Sequence, residues 1–151
     1  DIYSNVEGDV SISFNFENNE SNINMKPKTA IRLLLSIVIA LAIFHIGILL
    51  TIIPEGIIWG GRLGSTREMY LFESITIAVT LYLILILLIR GSFIRPIFTR
   101  KVTTISLWFF LILFVLNSLG NVLAKTTIEQ LFAIPTLAIS VLLWIVLRQK
   151  D

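Results

Sequence analysis

Four side chains that could take part in chemistry lie inside long apolar stretches of the sequence. They are His45, Glu73, Asn117 and Asn121. A polar or ionisable group is costly in hydrocarbon, so its presence there marks a candidate functional site. The imidazole and the carboxylate could exchange a proton or bind a ligand. The two amides are four residues apart, so they would share one helix face and offer hydrogen bonds there.

Each of these groups also has a structural interpretation, and the sequence leaves both open. Glu73 either pairs with an arginine and stabilises the fold, or serves as a proton-exchanging or ligand-binding carboxylate. His45 is either a neutral hydrogen-bonding partner between helices, for example of Asn117, or a proton relay or ligand contact. Asn117 and Asn121 either hold helices together or contact a ligand.

The connecting segment GIIWGGRLGSTREMYLFES at 56–74 adds Trp59 and Arg62 to the candidate ligand-binding residues. Its glycines would let the chain turn tightly, and Trp59 would lie at the membrane interface or over the site. We expect Arg62, in preference to Arg67, to fold back toward Glu73 and offset the cost of burying that carboxylate. The alternative is that both arginines bind lipid phosphate.

Two further acidic residues fit a structural role. Ser65 with Glu68, and Thr126 with Glu129, have the spacing of a capping box, in which the first residue caps a helix and the acid reaches back. The two pairs predict where the second and fourth long helices begin. We therefore assign Glu68 and Glu129 to capping.

Helical spacing extends the candidate groups into three stripes of small or polar residues. The stripes are Glu73, Thr76 and Thr80; then Asn117, Gly120, Asn121 and Ala124; then Glu129, Ala133, Thr136 and Ser140. Lipid-facing surface favours hydrocarbon, so these stripes and His45 should face the interior of a helix bundle. They predict a polar cleft that opens to the outside and is closed toward the cytoplasm by Leu, Ile and Phe.

The composition of the chain indicates what kind of scaffold holds these groups. Of the 151 residues, 56% are hydrophobic and 15% are charged, against about 25% charged in soluble domains, and the mean hydropathy is +0.88. This composition predicts an integral membrane protein. The absence of Cys and the single His argue against a disulfide, a thiolate site or a multi-His metal centre, so we expect no metal and no cofactor. A net charge of only +2 without a basic, aromatic patch argues against a nucleic-acid partner.

Four apolar stretches are long enough to cross a bilayer core, which takes about 20 helical residues. They run over about 31–53, 70–89, 102–124 and 128–147. Because lipid cannot satisfy backbone polar groups, each stretch should be helical. Short connections then favour an all-α, antiparallel four-transmembrane-helix bundle over residues 25–151. Residues 1–24 are acidic and Asn-rich, which predicts a disordered or non-native extension; the alternative is an acidic cytoplasmic arm that binds a partner.

The distribution of basic residues predicts the orientation of the bundle. Of the 12 Lys and Arg residues, nine would lie on one side of the membrane, and only Arg62, Arg67 and Lys125 on the other. Basic residues favour the cytoplasmic side. We therefore expect a multi-pass protein of a bacterial inner membrane with both termini in the cytoplasm.

Several short motifs resemble those of a group of bacterial proteins. WGGRL at 59–63, YLFES at 70–74 and NSLGN at 117–121, followed by AKTTIEQ, resemble small bacterial four-span membrane proteins of no assigned activity. The overall layout is also similar to the DoxX-like group. The resemblance covers Met25 to Arg148. It implies a fold and a membrane location, and it transfers no catalytic residues.

The sequence thus predicts a protein with an outward-facing polar pocket that binds, or helps to move, a small or lipid-like molecule within the lipid bilayer. One alternative is an accessory subunit of a larger membrane complex, with the polar residues joining helices. Another is an intramembrane lipid-modifying enzyme that uses Glu73 and His45 as an acid–base pair; since no nucleophile or metal motif accompanies them, an enzyme is the less favoured expectation. A homodimer or a membrane-protein partner fits the small size of the bundle.

Overall fold

A computed structural model describes residues 26–53 and 65–148 of the chain. Within these ranges the fold is all-α, with no strand, and has five helices. They are α1 (Pro27–Leu49), α2 (Thr66–Arg90), α3 (Arg100–Val122), α4 (Thr127–Leu131) and α5 (Ala133–Arg148). The predicted extension at 1–24 and most of the connection between α1 and α2, including Trp59 and Arg62, lie outside the described residues.

Four stretches of the described chain are long and apolar enough to cross a membrane. They are Lys28–Leu49, Thr66–Arg90, Arg100–Val122 and Thr127–Arg148, the last of which combines α4 and α5. Many large apolar side chains remain exposed on their outer faces, as expected where lipid is the solvent. The prediction of an all-α four-helix bundle is confirmed, and the architecture is that of a multi-pass membrane protein.

The first helix ends four residues earlier than its apolar stretch predicts, at Leu49. Thr51 adopts a left-handed conformation with φ of 58°. Its N–H donates to the carbonyl of Ile48 at 2.8 Å, and the Ile52 N–H donates to that of Gly47 at 2.9 Å. This pair of bonds is a Schellman cap, which closes a helix regardless of how apolar the following residues are. Hydropathy therefore predicts the span but places its end too late.

The other predicted bounds also shift, and the fourth span is not one continuous helix. It is interrupted at Phe132, between α4 and α5. Pro135 has no N–H to donate to the carbonyl of Leu131, and its ring crowds that carbonyl, which interrupts the helical hydrogen bonding at this turn.

Both predicted capping boxes begin helices. The Ser65 hydroxyl accepts from the Glu68 N–H at 3.4 Å at the start of α2, and the Thr126 hydroxyl accepts from the Glu129 N–H at 3.3 Å at the start of α4. Each cap satisfies one of the backbone donors that a helix start leaves unpaired. The two caps thus fix where the second and fourth spans begin.

The helices pack in a ring in which α1 contacts α2 and α5, and α3 contacts α2 and α5. The α1–α2 and α3–α5 interfaces are the most extensive, whereas α2 and α3 touch over a smaller area. The main hydrophobic core takes residues from the first half of α1 and α3 and from the second half of α2 and α5. Neighbouring spans are therefore antiparallel, and the core occupies one half of the bundle.

We call the half that holds this core the packed half. Its completely buried members include one leucine from each span, Leu34, Leu87, Leu107 and Leu143, all with 0% exposure. The described basic residues concentrate at the same end, at the starts of α1 and α3, the ends of α2 and α5, and the connection between α2 and α3. There are eight of them, against Arg67 and Lys125 at the opposite end. All three described acidic residues belong to the opposite half.

Candidate functional site

The polar centre of the opposite half is a contact between α1 and α2. The Nδ1 atom of His45 lies 2.7 Å from the Oε2 atom of Glu73, a hydrogen bond between side chains 28 residues apart in sequence. The Glu73 side chain is completely buried, and that of His45 is 12% exposed. A hydrogen bond of this kind offsets the cost of placing a carboxyl group inside the bundle.

This geometry assigns different positions to the two groups. His45 lines a cavity in the bundle, whereas Glu73 is not among the residues that line it. The carboxyl group lies behind the imidazole and orients the ring through Nδ1. The second ring nitrogen, Nε2, has no hydrogen-bonding partner within the described residues, so it is the atom of the pair that a ligand could meet.

The cavity has a volume of about 560 Å³, within the range of about 300–1,000 Å³ typical of small-molecule sites. All the helices contribute to its wall. Leu41 and Phe44 come from α1, Thr80 and Leu83 from α2, and Phe114 from α3. The α4 and α5 segments close the side opposite the α2–α3 contact.

The two asparagines of α3 share the cavity wall, as their spacing of four residues predicts. Asn117 and Asn121 both line it, with Gly120 between them. Neither side-chain amide is hydrogen-bonded to another group in the described part of the chain. His45 therefore bonds to Glu73 and not to Asn117, which the sequence offers as one partner. The amides remain able to donate to and accept from a ligand.

Threonine hydroxyls continue the polar wall on α2. The Thr76 hydroxyl donates to the carbonyl of Phe72 at 2.9 Å, and the Thr80 hydroxyl donates to that of Thr76 at 2.7 Å. These bonds hold the hydroxyl protons on the helix backbone. Toward the cavity, both oxygen atoms can then act only as acceptors.

Glu129 also belongs to this site, although its sequence motif assigns it to helix capping. Its side chain is buried, with 6% exposure, and it lines the cavity. Thr126 donates to the Glu129 Oε2 atom at 2.8 Å, so the carboxylate serves the cap and the cavity wall together. The signal was present in the sequence, because Glu129 begins the polar stripe that continues to Thr136, another lining residue.

From the polar groups toward the packed half, the cavity wall consists of aliphatic and aromatic side chains. Leu83 and Phe110 are almost completely buried and form the end of the cavity nearest the packed half. At the same level, the Tyr82 hydroxyl and the Ser106 Oγ atom are 2.9 Å apart and join α2 to α3. The Tyr82 ring also packs against Phe98, with ring centroids 6.3 Å apart. The cavity is thus polar at one end and apolar and closed at the other.

The predicted site residues therefore divide into three sets. His45, Asn117 and Asn121 meet at one cavity, and Glu73 reaches it through His45. Trp59 and Arg62 lie outside the described residues. Among the residues that the structure describes, no group of three His, Cys, Asp or Glu side chains could hold a metal ion. Ligand binding by these residues stays a prediction.

Comparisons of the chain with protein-family models, with curated proteins and with solved structures gave no match. The similarity to four-span bacterial proteins therefore stays a resemblance of short motifs, and only the geometry of the cavity can indicate a function.

Proposed function

We propose that the protein binds a small lipid-like molecule inside the membrane, in the cavity between its helices. The observation that carries this proposal is the distribution of chemistry along the wall. Hydrogen-bonding groups of His45, Asn117, Asn121 and Glu129 gather at one end, and hydrocarbon lines the other. An amphiphile presents the same two kinds of surface, joined end to end.

The length of the cavity supports this choice of ligand. Along α3 it extends from Asn121 to Phe110, eleven residues and therefore about 16 Å at 1.5 Å per residue. The hydrocarbon core of a bilayer is about 30 Å thick. The cavity thus covers roughly the depth of one leaflet, which is the space that a single lipid chain occupies.

The orientation that we propose places this leaflet on the outer side. Basic residues dominate the packed end, and the positive-inside rule then puts that end, with both termini, in the cytoplasm of a bacterial cell. Arg148 is one of these basic residues, and its guanidinium lies 5.0 Å from the Trp144 ring centre, an arrangement suited to a membrane interface on either side. A tag at the C-terminus should be protected from protease in intact cells, and cleavage there would contradict the orientation.

Binding can be tested with dodecanol as a neutral single-chain probe. The full chain would be placed in phosphatidylcholine nanodiscs, and native mass spectrometry would count the probe molecules retained after release from the lipid. We expect one retained molecule per chain. Gly120→Leu should abolish retention, because a side chain added at Gly120 enters open space in the cavity wall.

The matched control is Ala40→Leu, a similar enlargement at an exposed position of α1 that does not line the cavity. Its retention of dodecanol should equal that of the unchanged protein. Equal retention by a folded Gly120→Leu variant would contradict the proposal. If no lipid-like probe binds and the chain instead co-purifies in a fixed ratio with another membrane protein, an accessory role replaces it.

A second candidate function is favoured by the His45–Glu73 pair. A carboxyl group that orients an imidazole toward a cavity is the arrangement of a positioned general base. An intramembrane enzyme would use His45 to take a proton from a lipid hydroxyl. It would convert its ligand with a rate that His45→Gln abolishes, whereas a binding protein would return the molecule unchanged.

A further inference from the structure

The packed half carries a pair of tryptophans on its outer face, where α3 and α5 meet. The Trp108 ring of α3 and the Trp144 ring of α5 touch edge to face, with centroids 5.8 Å apart. Both side chains are exposed, at 44% and 42%. From the groups around this pair, we infer that the protein binds the phosphate group of an anionic phospholipid at the membrane interface, at a site separate from the cavity.

Two polar residues lie beside the tryptophan pair. Since α3 and α5 are antiparallel, four residues back from Trp108 and four residues on from Trp144 lead toward the same end of the bundle, to Thr104 and Arg148. Residues four apart share a helix face. Thr104 and Arg148 are therefore at similar depth, on the same outer face as the two rings.

Arg148 is held in a position that suits binding of a phosphate. Its guanidinium carbon lies 5.0 Å from the centroid of the Trp144 ring. Contact with the ring occupies a face of the guanidinium plane and leaves the N–H donors at its edge available. Within the described chain, Arg148 forms no hydrogen bond or ion pair. Its planar fork of donors matches two oxygen atoms of a phosphate.

Other donors and a second cation share this face. The Thr104 hydroxyl and the indole N–H groups of Trp108 and Trp144 form no hydrogen bond within the described chain. Lys101 lies seven residues before Trp108 and so on the same face of α3, about 4.5 Å nearer the membrane surface than Thr104. No described acidic residue lies at this end of the bundle. Positive charge and hydrogen-bond donors without a described carboxylate favour an anionic ligand.

The apolar surface beyond the rings indicates that this anion belongs to a lipid. Ile112 of α3 and Val141 of α5 lie about one turn beyond the tryptophans, on the side away from the cations, and are 57% and 51% exposed. A phospholipid presents its phosphate and then its acyl chains in the same order. Indole rings favour the level between the two. A free phosphate ion would leave the apolar part of this face without a partner.

The site can be tested in nanodiscs that contain equal amounts of phosphatidylglycerol and phosphatidylcholine. Native mass spectrometry of the full chain would count the lipid molecules retained after release. We expect one phosphatidylglycerol per chain, retained in preference to phosphatidylcholine. Arg148→Gln should weaken this retention by about tenfold, the usual worth of a hydrogen bond to a charged group. Trp108→Phe, which keeps an aromatic ring and removes the N–H, should weaken it by about threefold.

The matched control is Arg32→Gln. Arg32 of α1 is exposed at the same end of the bundle and also lies over an aromatic ring, 6.0 Å from the centroid of Phe93 in the connection between α2 and α3. Its substitution removes the same charge and should leave the retention of phosphatidylglycerol unchanged. Equal losses in Arg32→Gln and Arg148→Gln would mean that the lipid follows overall charge, and would overturn the site. Equal retention of the two lipids by the unchanged protein would also overturn it.

Two other occupants of this face would give different results. Displacement of phosphatidylglycerol by a tenfold molar excess of inorganic phosphate would identify a free anion as the ligand. A dimer mass that Trp108→Leu converts to a monomer mass would identify a second copy of the chain. Either result would overturn the lipid site. Retention of dodecanol should be the same in Arg148→Gln as in the unchanged protein, so failure of the lipid site leaves the proposed function standing.

Discussion

The two halves of the bundle use the same four spans but differ in what fills the space between them. In the packed half, Leu34, Leu87, Leu107 and Leu143 meet with no exposed surface. In the other half, the same helices carry the cavity and its polar groups. Dense packing in one half can therefore hold the helices in place while the other half keeps open a space whose polar groups would be costly without partners.

The largest expected difference between the halves comes from shortening leucines of α3. Leu107→Ala in the packed half should lower the free energy of unfolding by about 2–3 kcal/mol, because it leaves a void among close-packed neighbours. Leu113→Ala, on the cavity wall, should cost less than about 1 kcal/mol, since that side chain is already partly exposed. Unfolding in dodecylsulfate mixed micelles, followed by circular dichroism, measures both. Equal losses would show that the two halves are packed alike.

The next largest effect concerns the His45–Glu73 pair. Glu73→Leu should cost about 1–3 kcal/mol, because it removes the partner of a largely buried imidazole. The double variant His45→Leu with Glu73→Leu should be more stable than the sum of the single losses predicts, since neither side chain of this hydrogen bond is then left without the other. A double-mutant cycle in the same micelles measures this coupling. Strict additivity would mean that the two groups do not interact.

Two glycines, one in each half, should respond to alanine with opposite sign. At Gly120 an added methyl group meets nothing within 4 Å, so Gly120→Ala should stabilise α3 by about 0.5–1 kcal/mol through helix propensity. At Gly91 it would collide with the Phe93 ring and approach Ile31, so Gly91→Ala should destabilise by about 1 kcal/mol. Unfolding curves of the two variants should shift in opposite directions, and a shift in one shared direction would contradict the assignment of open space.

The smallest expected effect is at the boundary between the halves. Tyr82→Phe removes the hydrogen bond to Ser106 and keeps the ring packing. Hydrogen bonds between membrane helices contribute about 0.6 kcal/mol on average, so the loss of stability should be of that size. Ser106→Ala should give the same loss, and the double variant should lose no more than either. A loss of stability near zero would mean that ring packing alone joins α2 to α3 at the end of the cavity nearest the packed half.

The sequence predicts more of the fold than of the site. Long apolar stretches identify four spans because lipid admits little else, and the two capping boxes give the starts of α2 and α4. The end of α1 at Leu49 and the break at Phe132 escape hydropathy, because both depend on backbone geometry, through Thr51 in a left-handed conformation and Pro135 without a donor.

Within the site, the spacing of residues along one helix predicted their positions better than it predicted which residues pair between helices. It placed Asn117, Gly120 and Asn121 on one wall, and it put Glu129 on a stripe that does reach the cavity. Pairing between helices was harder to predict, because it depends on rotation of each helix about its axis. The sequence therefore offered Asn117 as one partner of His45, whereas the structure pairs His45 with Glu73.

The proposed function requires a lipid chain to lie inside the bundle, in the cavity that all the helices line. Photolabelling with dodecanol that carries a diazirine at the end of its chain tests this directly, with the modified residues located by peptide mass spectrometry. We expect labels near Leu83 and Phe110, at the closed end of the cavity, and their loss in Gly120→Leu. Labels confined to outward-facing residues such as Ile43 and Val141, and unchanged in that variant, would contradict binding inside the bundle.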